Sequence, residues 1–132
     1  MSLQYSVAVN NARLDSIETT IGTSAKLRLY TGSVPANCAA AATGTLLAEL
    51  ILPSDWMAAA SGASKVKAGT WSGTASATGV AGYFRIVDSG GTNTGLQGTA
   101  GMSATDMILD NNNLATSQSI TVNSFQLNTG NT

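Results

Sequence analysis

The chain contains no histidine and one cysteine, and only 10% of its 132 residues are charged. Histidine is the side chain whose ordinary pKa lies near neutrality, so its absence removes the commonest proton shuttle and the commonest metal ligand. A lone cysteine forms no internal disulfide, and without histidine it makes no zinc site. Cys38 lies in an Ala-rich stretch with no lysine or arginine close in sequence, so it reads as a small apolar residue, not an activated thiol. Positive charge is equally scarce. Six Lys and Arg stand against seven Asp and Glu, a net charge of -1. That argues against a nucleic-acid partner, which needs a basic face, and against attachment to an anionic membrane. Long apolar runs are missing as well. The longest, residues 46–52 (apolar but for Glu49) and 57–60, fall far short of the ~20 needed to cross a bilayer. The opening Met-Ser-Leu-Gln-Tyr-Ser carries no basic flank followed by an apolar stretch, so no secretory signal is expected.

What is present is 43% hydrophobic sequence, cut into short runs by Gly, Ser, Thr, Asn and Ala. The length fits one domain, which hides roughly two-thirds of the surface of its unfolded chain and needs no covalent staple. A weakly charged surface of this texture suits a protein that works packed against others.

The pattern predicts one helix, over residues 6–21. Leu14, Ile17 and Ile21 recur at helical spacing, with Val7 and Ala12 near the same stripe and Asp15 and Glu18 on the polar side. Asn10 or Asn11 suits the cap of a shorter helix, and Gly22 is placed as its stop. The stripe either packs on the chain's own sheet or reaches a partner as an arm. The expected organisation is a helical arm, residues 1–24, and a β domain, residues 25–132.

Beyond Gly22 the period changes to two. Leu27 and Leu29 alternate with Lys26 and Arg28, and an Ala-rich loop with Pro35 and Cys38 spans residues 31–44. Residues 46–52 read as a strand buried on both faces and ended by Pro53. Residues 54–60 suit a helical turn, residues 65–71 a strand with Val66 opposed to Lys65 and Lys67, and residues 72–79 a loop. The strongest strand covers residues 80–87, with Phe84 and Ile86 on one face and Tyr83, Arg85 and Val87 on the other. A turn at residues 88–91 then returns the chain over 94–99 as a hairpin. A short strand at 106–110, an Asn turn at 111–113 and a last strand at 117–127 complete the set. In that last strand Ile120 and Val122 share one phase while Phe125 and Leu127 share the other, which predicts a bulge at residues 123–124. About seven strands at this spacing predict an all-β fold, an antiparallel β-sandwich of jelly-roll or immunoglobulin-like type with one N-terminal α-helix.

Chemistry-bearing constellations are weak. Asp106 and Asp110 would share a strand face about 13 Å apart, too far for an acid–base pair. Asp55 and Asp88 lie in separate turns. The oxygens of Asp110, Asn111, Asn112 and Asn113 suit a turn better than a calcium loop, since no EF-hand spacing is present. Residues 22–26 lack phosphate-loop spacing, and Ser61 and Ser64 near Lys65 lack a catalytic one. Trp56, Trp71 and Tyr83 are candidates for stacking a sugar, weighed against core packing.

Several stretches together resemble one family. They are Asn11-Ala12-Arg13-Leu14-Asp15-Ser16-Ile17-Glu18, Leu27-Arg28-Leu29-Tyr30-Thr31-Gly32, Pro35-Ala36-Asn37-Cys38-Ala39, Leu52-Pro53-Ser54-Asp55-Trp56-Met57-Ala58-Ala59-Ala60 and Gly69-Thr70-Trp71. Tyr83-Phe84-Arg85-Ile86, Asp88-Ser89-Gly90-Gly91, Gln97-Gly98-Thr99, Asp106-Met107 and Asp110-Asn111 continue the pattern. The chain resembles, over nearly its whole length, the small β-rich virion structural proteins of tailed bacteriophages and prophages. The resemblance implies a decoration or cement protein on the capsid surface, assembled in the bacterial cytoplasm. Its partners would be the major capsid protein and itself, as a homodimer or homotrimer. It implies no enzymatic activity, cofactor, metal, nucleic acid or membrane. The residues expected at the partner interface are Arg13, Leu14, Asp15, Ile17 and Glu18 of the helix and Pro35 and Asn37 of the long loop. The competing expectation is a tail-fibre, tail-tip or baseplate module that meets the host surface through Trp56, Trp71 and Tyr83.

Overall fold

The computed structural model describes residues 3–129. One helix, α1 (Val7–Ile21), precedes nine strands: β1 (Lys26–Thr31), β2 (Leu46–Ile51), β3 (Ser64–Val66), β4 (Ser72–Thr74), β5 (Gly79–Val87), β6 (Thr94–Gly101), β7 (Met107–Leu109), β8 (Asn113–Leu114) and β9 (Ser119–Asn128). The strands hydrogen-bond in the order β2-β1-β5-β6-β7-β9-β3, with β4 on β9 and β8 on β5. Every described pairing is antiparallel except β6 with β7, which run parallel.

The β-rich class and the single N-terminal helix match expectation. The two-sheet antiparallel sandwich, jelly-roll or immunoglobulin-like, is corrected. The strands form one mixed sheet that curls into a half-barrel. Register shifts interrupt the β1–β2, β1–β5 and β5–β6 pairings. Each such bulge adds local twist and bend, so the sheet encloses its own apolar face without a second sheet above it. β4, already paired with β9, also lies against β2, and the Ser76 and Ala77 amides donate to the Leu47 carbonyl at 2.7 and 3.3 Å. The two ends of the curl are thereby tied together.

Leu27, Leu29, Leu47, Leu50, Phe84 and Ile86 fill the concave side with Trp56, Trp71 and Phe125. Trp71 lies 6.0 Å from Trp56 and 5.7 Å from Phe125, and Phe84 meets Phe125 edge-on at 5.4 Å. The polar ends of both indoles are satisfied. Trp56 Nε1 donates to the Gly22 carbonyl at 2.9 Å, and Trp71 Nε1 to those of Trp56 and Ala68 at 3.1 Å. The bulge expected in the last strand is present. Ile108 pairs with Ser124 and Leu109 with Val122, so Asn123 is skipped and Ile120, Val122 and Phe125 all point inward.

Four local expectations are corrected. Residues 54–60 form no helical turn, and Met57 bridges to Lys67 instead. β2 is not buried on both faces: Leu47, Ala48 and Leu50 are buried, but Glu49 is exposed and Ile51 is 70% exposed. Residues 72–79 contain β4 and are not all loop. The strand expected over 65–71 shrinks to β3 with its phase inverted: Lys65 is 2% exposed and Val66 45%.

The helix explains the inversion. Ser6 caps α1 by accepting from the Val9 amide at 3.1 Å, in place of the expected Asn10 or Asn11, and Gly22 ends it as expected. Asn11, Asp15 and Glu18 lie on one helical face. Their oxygens accept from the amides of Ala63, Ala60 and Met57 at 2.9, 2.9 and 3.1 Å, groups outside the sheet ladder. Lys65 rises into the same seam, with Nζ 2.7 Å from Asp15 Oδ1 and 3.0 Å from Glu18 Oε1. Leu14 is buried and Ile17 and Ile21 are half-buried, so α1 docks through an apolar stripe beside an acidic one.

Phe125→Ala is expected to cost about 3–5 kcal/mol in denaturant unfolding. Deleting Asn123 removes only the skipped residue and leaves Val122 and Phe125 two positions apart on the inward face, so the deletion variant should still unfold cooperatively; loss of cooperative unfolding would contradict the register.

The Lys65 seam also ties stability to pH. The Asp15 carboxyl is held below its ordinary value, first by the Lys65 hydrogen bond and then by the Ala60 amide. Burial alone would lower the Lys65 ammonium, but its hydrogen bonds to Asp15 and Glu18 outweigh that and raise it. A depressed carboxyl stabilises the fold above its unfolded value, and this is lost as pH falls through the folded one. A raised lysine stabilises below its unfolded value, and this is lost as pH rises through the folded one. The seam should therefore be fully formed from about pH 4 to about pH 10. In melting profiles against pH, Lys65→Met should shrink the losses at both ends; unchanged acid and alkaline limbs would contradict this role.

Candidate functional site

The carboxylates singled out for chemistry fasten the sheet. Asp106 Oδ2 accepts from the Thr99 amide at 2.9 Å and its hydroxyl at 3.2 Å, which ties the approach to β7 onto β6. Asp110 Oδ1 accepts from the amides of Asn111 at 2.8 Å and Thr121 at 3.1 Å, joining the Asn turn to β9. Asp88 holds the β5–β6 hairpin through the Thr92 and Asn93 amides, which keep its carboxyl below the ordinary value. Among the described residues no group of three or more His, Cys, Asp or Glu converges. Trp56, Trp71 and Tyr83 are fully buried, so none offers a ring face to a sugar.

The seven expected interface residues fall into two groups. In the helix, Leu14 is in the core, Asp15 and Glu18 face the Lys65 seam, and Ile17 is half-buried beside Gly95 and Leu96. Arg13 is exposed, with its guanidinium 4.9 Å from the Tyr5 ring centre and Nη1 2.9 Å from Asn10 Oδ1. In the loop, the Pro35 carbonyl accepts from Gln97 Nε2 at 2.8 Å. Asn37 is exposed, and its side-chain oxygen accepts from the Ala39 and Ala40 amides at 3.0 and 2.9 Å, forming a turn.

Two features escaped the sequence reading. The first is the front of α1. Leu3, Tyr5, Val7 and Val9 are all exposed, Leu3 by 54%. Their alternation was visible in the sequence, but Val7 read as part of the buried stripe. The second is a strap formed by the loop between β1 and β2 over the convex face of the sheet. A row of polar side chains crosses that face: Glu49 on β2, Arg28 on β1, Arg85 on β5 and Gln97 on β6 are successive register partners. Arg28 Nε pairs with Glu49 at 2.7 Å. Arg85 pairs with no carboxylate among the described residues. Its Nε donates to Gln97 Oε1 at 3.1 Å, and its Nη2 to the carbonyls of Asn37 and Ala40 at 3.3 and 2.7 Å. Next to this row Tyr30 and Tyr83 stack at 4.9 Å, and the Tyr83 hydroxyl donates to the Thr43 carbonyl at 2.6 Å and accepts from its amide at 3.0 Å. The loop also crosses directly over Gly82, where a Cβ would strike the Gly32 carbonyl. From Tyr83 to Val87 both faces of β5 are buried as a result.

No family model, curated protein or solved structure matches the chain. The functional reading therefore rests on the residues themselves.

Tyr83→Phe removes both hydroxyl contacts to Thr43 while keeping the stacked ring. It should cost about 1 kcal/mol and speed amide exchange at Thr43. Unchanged exchange there would mean the strap is held elsewhere.

Proposed function

We propose that this protein is a structural component of a tailed-bacteriophage virion, most specifically a decoration or cement protein that binds the major capsid lattice and stabilises it. The observation that carries the proposal is the run of exposed apolar side chains that leads into a firmly docked helix. Leu3, Tyr5, Val7 and Val9 are exposed on a segment whose following turns are fixed by the Lys65 seam. Four exposed apolar side chains within seven residues favour a protein–protein contact. Ordering them in advance lowers the entropy cost of binding, which suits a repetitive lattice where many weak contacts add. The sequence resemblance points to the same class. On this reading the protein acts without catalysis, and its working location is the capsid surface.

The contact set differs from the one expected from sequence. Leu14, Asp15 and Glu18 hold the helix in place, while the front residues, with Arg13 beside Tyr5, meet the capsid subunit. Asn37 on the strap turn is a second contact, and the exposed Ile51 on β2 suits self-association as a dimer or trimer.

Undecorated capsids titrated with purified protein test the proposal. Saturable binding and a gain in particle heat resistance are expected. Val7→Ser with Val9→Ser should weaken binding at least tenfold while leaving the protein's own melting temperature within a few degrees. Absence of saturable binding to capsids overturns the reading.

A further inference from the structure

Arg85 is 5% exposed and, among the described residues, has no opposite charge: its register partner Arg28 on β1 has Glu49, whereas Arg85 has only neutral oxygens. A guanidinium offers five N–H donors. The single Nε donor goes to Gln97 and the two on Nη2 to the Asn37 and Ala40 carbonyls, leaving the two on Nη1 with no acceptor among the described residues. Nη1 is not sealed in protein either, since Thr129 Oγ1 is the sole fully enclosed side-chain polar atom lacking a partner there. Arg85 forms part of the wall of a depression of about 570 Å³ between the strap and the start of β6. Ala39, Ala40 and Ala41 supply an apolar side, and Thr92, Asn93 and Thr94 a polar one; no acidic residue lines it.

A buried cation without a counter-charge is costly, and the cost is relieved when an anion enters. We propose that the Arg85 recess is a receptor for a single carboxylate. One oxygen would accept from Nη1, and the threonine hydroxyls on the opposite wall would serve the other. The recess holds one cation and no lysine, which favours a singly charged carboxylate over phosphate or a nucleic-acid backbone. The carboxylate comes either from a free small acid or from an Asp or Glu side chain of a bound polypeptide. The site stands apart from the helix front, and its test does not require a capsid.

The Nε–H resonance of Arg85 in the 15N-labelled full chain reads the site directly. Acetate, at constant ionic strength against sodium chloride, should give a saturable shift with a millimolar midpoint and a matching rise in melting temperature. The blocked peptides acetyl-Ala-Glu-Ala-amide and acetyl-Ala-Gln-Ala-amide separate the sources. A response to the Glu peptide alone of the two assigns the site to a polypeptide carboxylate, and a response to acetate only assigns it to free acids. Arg85→Gln should abolish the acetate effect on melting. Because that change also loosens the strap, Ala41→Asp provides an independent arm. It supplies an internal carboxylate and should raise the melting temperature while abolishing the response to acetate. Equal shifts with chloride and acetate, or an undiminished acetate response in A41D, would overturn the proposal.

Discussion

The Lys65 ammonium, buried where β3 meets α1, is the interaction on which the rest of the arrangement depends. A lone ammonium in that position would be too costly to bury, and Asp15 and Glu18 make it tolerable. Those carboxylates also accept from the amides of Ala60 and Met57, in a segment that follows no regular ladder. One seam therefore resolves three needs together: the charge, the unpaired amides and the docking of an otherwise detached helix. Fixing α1 fixes the position of Val7 and Val9 in its first turn, with Leu3 and Tyr5 just ahead of it.

The same logic of borrowed partners recurs on the far side of the sheet. The loop between β1 and β2 is long and Ala-rich, with little apolar bulk of its own to hold it down. Its carbonyls are held instead by Tyr83, Arg85 and Gln97, which project from the convex face of β5 and β6. The long, twice-covered β5 is the common support. Its Phe84 and Ile86 enter the aromatic core while Tyr83 and Arg85 grip the strap.

Local pattern revealed much of this in advance. The helix and its Gly22 stop, the phases of β1 and β5, the β5–β6 hairpin and the bulge at Asn123 are all set by neighbours within a few residues. The failures are long-range. Lys65 and Val66 read with inverted phase because the acids that admit Lys65 to the interior lie 50 and 47 residues away on α1. The single curled sheet was hidden because the parallel β6–β7 pair and the β4 bridge leave no periodic signal in so short a segment. Cys38 appeared remote from any cation, yet it shares a depression with Arg85. Leu14, Asp15 and Glu18 were read as available to a partner, yet they face the chain's own seam, since a polar stripe docking on unpaired amides looks like a solvated one.

The central claim is that α1 belongs to the rigid body and presents its front in a fixed direction. Native-state amide hydrogen exchange across the whole chain measures this most directly. The account predicts that the central amides of α1 open with a free energy close to that of β5, because both are held through the same cooperative unit. Exchange of those amides at nearly unprotected rates, while β5 stays protected, would show an independent arm and contradict it.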